Sequence, residues 1–141
     1  YFEVKKVLSI HASPVDGRGA LSLGFILKDT KLTIKTMKVD VKSNIGAPYI
    51  VFQEFIQPII NQEGVVFNEK NCLFKLEGGE KGKILVPEFI PVNIQRTKIY
   101  QSSRDGASDS FFIIYGIKQN KNNIGGRYTS GIKLSIEEII K

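Results

Sequence analysis

Nucleophilic hydrolysis needs a serine or cysteine, a histidine base and an orienting acid within hydrogen-bond reach of one another. This chain carries one histidine, His11, and one cysteine, Cys72. His11 shares the polar side of an extended run with Ser9 and reads as a solvated side chain. Cys72 adjoins Leu73 and Phe74 and reads as a buried thiol acting as a small hydrophobe. One imidazole and one thiol supply neither a zinc set nor an intrachain disulfide. Glu137 and Glu138 are adjacent, so on a strand they point to opposite faces, which argues against a glycosidase-type carboxylate pair. Asp105 and Asp109 lie in a polar loop without EF-hand spacing and read as turn residues. Gly78-Gly79 and Gly125-Gly126 lack the spacing of a phosphate-cradling loop. The expectation is a chain that is not an enzyme and uses no cofactor and no metal.

Charge is the next discriminator. Lys and Arg number 20 against 14 Asp and Glu, a formal net charge of +6. The excess is scattered. Lys31, Lys35, Lys38 and Lys42 form the densest series, and lysines on strand edges discourage unwanted pairing. No RNP-type aromatic signature accompanies them, so nucleic acid is not expected as a partner. No apolar run approaches the roughly 20 residues of a spanning helix, so no membrane insertion is expected.

The elements that must position any site are strands. Val, Ile, Thr, Phe and Tyr gather in short runs of period two between clusters of Gly, Pro, Asn and Asp, the pattern of an all-β sandwich or barrel. At 141 residues the chain is long enough for one domain with its own core. Residues 2–12 place Phe2, Val4, Leu8 and Ile10 on one face, interrupted by Lys6. Ser13-Pro14 and then Asp16-Gly17-Arg18-Gly19 turn the chain. Runs over 20–27 and 32–42 follow, and a parity change between Ile34 and Met37 predicts a bulge near Lys35. Residues 49–60 read as a long strand bent by Pro58, with a single helical turn around Gln53 to Ile60 as the alternative.

After a turn at Asn61-Gln62-Glu63-Gly64, residues 65–67 and 72–76 read as a hairpin region closed by the polar turn 77–82. Pro87 and Pro91 favour an edge position. Ile99-Tyr100 resumes a strand, residues 101–110 form the polar loop, and residues 111–117 read as a central strand covered on both faces. Beyond the turn at 118–123, Gly125-Gly126 opens a last strand with Tyr128, Ile132, Leu134 and Ile136 on one side. Arg127, Thr129, Lys133 and Glu137 take the other.

The two ends of the chain resemble a family. Residues 125–136, Gly-Gly-Arg-Tyr-Thr-Ser-Gly-Ile-Lys-Leu-Ser-Ile, look like the closing strand of fimbrial subunits, where Gly-x-Tyr precedes an alternating run. The opening extended stretch with Ala12-Ser13-Pro14-Val15-Asp16 is similar to the start of pilins assembled by donor-strand exchange, including the chaperone-usher and colonisation-factor types. The resemblance covers about thirty residues.

It implies an immunoglobulin-like antiparallel β-sandwich that is incomplete and is completed by the N-terminal strand of a neighbouring subunit. Residues 1–13 would be the donor strand, with Phe2, Val4, Leu8 and Ile10 as its anchors, and residues 14–141 the sandwich domain. The implied partners are copies of the same chain in a head-to-tail polymer, a periplasmic chaperone, and a host or surface ligand. The implied place is an extracellular cell-surface appendage. The two-cysteine bridge of many pilins is missing, and the chain runs on to Glu137-Glu138-Ile139-Ile140-Lys141.

Part of this stands on physics alone. An N-terminal strand set off by Pro14 and a Gly-rich turn can pair with its own domain or add to another chain's sheet edge. Either outcome buries its four apolar anchors, at roughly 1.5–3 kcal/mol for each one fully buried. The alternative readings are a β-sandwich module that binds a glycan or protein, with Tyr100, Arg104 and Asp105 as contacts, and a jelly-roll capsid or tail protein.

Overall fold

The computed structural model describes residues 5–14, 22–27, 32–55, 60–61, 72–93, 95–118 and 126–139. Eleven strands run in chain order: β1 (Leu8–Pro14), β2 (Ser22–Leu27), β3 (Leu32–Ser43), β4 (Tyr49–Phe55), β5 (Ile60–Asn61), β6 (Cys72–Gly78), β7 (Lys83–Ile84), β8 (Ile90–Pro91), β9 (Thr97–Gln101), β10 (Asp109–Lys118) and β11 (Gly126–Glu138). Every pairing is antiparallel. One sheet has the order β1-β3-β10-β6-β8 and the other β2-β11-β4-β9-β7, with β5 also on β11. This is an all-β antiparallel sandwich, one of the two architectures that the strand pattern predicts.

Alternation builds the core. In the first sheet Met37, Val39 and Val41 of β3, Phe111, Ile113 and Tyr115 of β10, and Cys72, Phe74 and Leu76 of β6 point inward and are buried. From the second sheet Tyr49, Val51 and Phe55 of β4 meet them, with Ile99 and Tyr100 of β9 and Ile132 of β11. Aromatic rings join the layers: Tyr100 stacks on Phe111 with centroids 4.7 Å apart, and Phe55 meets Tyr115 edge-on at 6.3 Å. Such pairs add about 0.5–1.5 kcal/mol each beyond the area they bury.

Two local expectations need correction. The β3–β10 register runs without a break from Leu32 to Val41, so there is no bulge near Lys35. The parity change arises because Ile34 faces outward, half exposed, while Met37 faces in. The bulge lies instead between β4 and β9 at Val51/Phe52, which lets consecutive residues Ile99 and Tyr100 both be buried. Second, β10 is central in its sheet but covered on one face only, since Phe112 on its outer face is 37% exposed. Pro91 does sit on an edge strand, β8. The turns expected at 16–19, 62–64 and 119–123 and the run at 65–67 lie outside the described residues.

Candidate functional site

Two features stand out, a seam at one side of the sandwich and a cleft on its outer face. The seam lies where β1, the edge of the first sheet, approaches β11 of the second. β1 pairs with β3 of its own chain, Leu8 opposite Ser43 through Pro14 opposite Met37. Leu8, Ile10 and Ala12 pack against the core yet stay only partly buried, as do Leu134 and Ile136 of β11.

β11 is a long strand whose neighbours change along its length. Residues 126–131 pair with β2 on one side, and Tyr128 and Thr129 pair with β5 on the other. Residues 132–138 pair with β4, on the β5 side. Among the described residues, no strand continues β2 along 132–138. Leu134 and Ile136 lie half-buried along this stretch, and a sheet edge flanked by such apolar side chains is the setting to which an extra strand adds.

The expected anchors divide accordingly. Leu8 and Ile10 lie on β1 and are paired in cis, while Phe2 and Val4 lie outside the described residues. Of the expected closing-strand residues, Ile132 is buried, Leu134 and Ile136 face the seam, and Tyr128 stands opposite Phe25 and Asn61 in the ladders. Lys133 and Glu137 take the opposite, exposed face, where Arg96 bridges Glu137 at 2.6 Å.

The cleft, of about 920 Å³, lies on the outer face of the first sheet. Its floor comes from β3 and β10, where alternation turns Lys38, Asp40, Lys42, Ser110 and Phe112 outward. Ser9 and His11 of β1 form one wall and the turn 78–81 the other. His11 stands opposite Asp40, and Asp40 opposite Ser110, whose hydroxyl donates to the Asp40 carboxylate at 2.5 Å. The acid therefore sits between the other two residues. A serine protease needs the histidine in that position, so the row carries no activated nucleophile.

Asp109 fixes the far wall. Its carboxylate accepts backbone N–H bonds from Glu80, Lys81 and Gly82, each at 3.1 Å, and the Tyr100 hydroxyl donates to it at 2.5 Å. Burial opposes ionisation of Asp109, but the Tyr100 and backbone bonds outweigh it and hold the pKa below the usual value. With its oxygens so engaged, Asp109 is a structural hub.

The contacts expected at Tyr100, Arg104 and Asp105 are not brought together. Tyr100 is fully buried, and burial first, then Asp109, pushes its pKa up. Its removal from solvent corrects the expectation of a ligand contact. Arg104 and Asp105 are exposed on the loop, where Ser103 donates to the Asp105 carboxylate. Cys72 is buried and burial pushes its thiol up to about 12, which fits a thiol that packs as a hydrophobe. The sequence reading missed Phe112, Lys42, Lys81 and Asp40 as neighbours. The alternation of Ser110 and Phe112 with Phe111 and Ile113 was the available signal.

No family model matches the chain, and no curated protein matches it. Among solved structures it is similar to a family 123 glycoside hydrolase from Clostridium perfringens, described for its hydrolysis of glycolipid glycans. The likeness has a TM-score of 0.50 at 13% sequence identity and covers 94% of this chain but 26% of the hydrolase. The chain thus spans about a quarter of that protein's length, and what the likeness shows is the β-sandwich fold.

Proposed function

We propose that this chain is a structural, non-enzymatic subunit of an extracellular surface filament that polymerises by strand addition at the seam between β3 and β11. The observation that supports this reading is the edge of β11 along residues 132–138, which pairs with no second strand among the described residues and lies beside the half-buried Leu134 and Ile136. That edge has seven residues and β1 has seven, so the lengths match. In an isolated chain β1 stays on its own β3. In the filament the N-terminal strand is lent to the next copy, where it closes the same seam.

The energetics permit such a loan. β1 is a terminal edge strand held by one ladder, and its inward residues Leu8, Ile10 and Ala12 are only partly buried. They therefore forgo part of the roughly 1.5–3 kcal/mol that full burial of a large apolar side chain provides. A strand hydrogen-bonded on both flanks recovers that burial and satisfies the edge of β11 as well. Because the donor strand and the accepting seam are different surfaces, the contact joins head to tail and propagates instead of closing as a dimer.

Electron microscopy and sedimentation of the full chain, the 1–12 deletion and Ile10→Lys provide the test. Filaments are expected from the full chain at high concentration. The deletion should yield none and should lose stability that a peptide of residues 1–12 restores. Ile10→Lys, which points a charge into the seam, should remain folded and block growth. A deletion variant that melts like the full chain, or filaments that persist in both variants, would overturn the reading.

A further inference from the structure

The outer-face cleft is independent of the filament reading, because β1 supplies Ser9 and His11 to its wall whichever chain contributes that strand. The geometry points to a binding site for a neutral oligosaccharide in this cleft, with Phe112 as the stacking platform. Its volume, about 920 Å³, falls in the range of roughly 300–1,000 Å³ typical of small-molecule sites. The lining is mixed in an informative way. Lys38, Lys42 and Lys81 face Asp40, Glu80 and Asp109, so the formal charges cancel.

An anionic ligand has no net attraction to such a lining, and an apolar one would strip water from many polar groups without replacing their hydrogen bonds. A sugar hydroxyl both donates and accepts, so neighbouring ammonium and carboxylate groups can each bond it. Phe112, 37% exposed in the floor, offers a flat apolar surface to the C–H face of a pyranose ring. It stands opposite Lys38 of β3, which also lines the cleft and places a donor beside the ring.

The site is built before any ligand arrives. Asp109 pins the turn that carries Glu80 and Lys81, and the Ser110 bond to Asp40 fixes the floor. From residue 108 to residue 112 the floor runs about 13 Å at the usual strand rise, room for a short oligosaccharide.

The test is calorimetry and saturation-transfer NMR on the full-length chain, using neutral gluco-, galacto- and manno-configured di- to tetrasaccharides and their uronate and sialylated counterparts. Saturable binding of at least one neutral saccharide is expected. Phe112→Ala should weaken it by about tenfold or more with melting unchanged, Phe112→Tyr should retain it, and Arg104→Ala on the remote loop should leave it unaltered. Absence of saturable binding at millimolar ligand would overturn the inference, as would equal binding by Phe112→Ala. Salt-sensitive binding of the acidic saccharides alone would overturn its ligand class.

Discussion

The buried hydroxyl of Tyr100 donates a hydrogen bond to the carboxylate of Asp109, linking β9 in one sheet to the first residue of β10 in the other. The same carboxylate gathers the backbone of residues 80–82. A core aromatic thus sets the position of a surface turn. The cleft wall inherits its rigidity from the interior, and so does the end of β10 that begins the cleft floor.

Replacing Asp109 by Ala should cost about 2 kcal/mol, given charge-assisted hydrogen bonds discounted for a carboxylate partly open to water. Its native pKa lies below the ordinary 3.8, so its stabilising contribution is complete above that range and fades as the pH falls through the lowered native value. Chemical denaturation at a series of pH values should find the wild type losing stability in acid by more than Asp109→Asn loses. Parallel curves would remove the hub from the account.

Tyr115 of β10 donates to the side-chain oxygen of Gln53 on β4 at 2.5 Å, in the sealed interior between the sheets. Tyr115→Phe keeps the ring contact with Phe55 and strands the amide oxygen, which should cost about 1–3 kcal/mol. The double variant Tyr115→Phe with Gln53→Leu should recover part of that loss. A strictly additive double-mutant cycle in urea unfolding would mean that the bond is energetically silent.

Cys72 is enclosed and its thiol pushed up to about 12 by burial. The native chain should therefore resist an aromatic disulfide reagent at pH 8 on a time scale set by opening of the fold, and react at once in denaturant. Fast stoichiometric labelling of the native chain would contradict the packing around β6.

Gly106 adopts a φ of +64°, and a Cβ there would collide with the Ala47 carbonyl oxygen. Both the left-handed backbone and the close approach exclude a side chain. Gly106→Ala should lower stability by more than about 1 kcal/mol and separate the 102–108 loop from the segment before β4, and a thermal melt unchanged from wild type would count against this geometry.

Much of the fold was legible. Period-two runs marked most strands because a half-buried ladder demands alternation, and Pro91 marked an edge because it cannot donate to a ladder. Where neighbours decide, reading failed. Tyr100 looked like a loop-side contact, but a bulge opposite Val51/Phe52 turns it inward beside Ile99. Phe112 looked like core because nothing local distinguishes a strand covered on both faces from one whose outer aromatic is bare.

The candidate cleft is less legible still. Ser9, Asp40, Lys81 and Phe112 are separated by dozens of residues and share no motif, so only the order β1-β3-β10-β6 assembles them.

By itself the sequence determined the class: alternation and turn residues mark an all-β sandwich or barrel, and a single cysteine leaves no intrachain disulfide. Tertiary structure decided which face of each strand is buried, that residues 8–14 pair in cis, and that β11 changes neighbours along its length, from β2 and β5 to β4. These depend on which strand lies beside which. Strand adjacency is set by long-range burial and register, which no local run of residues encodes.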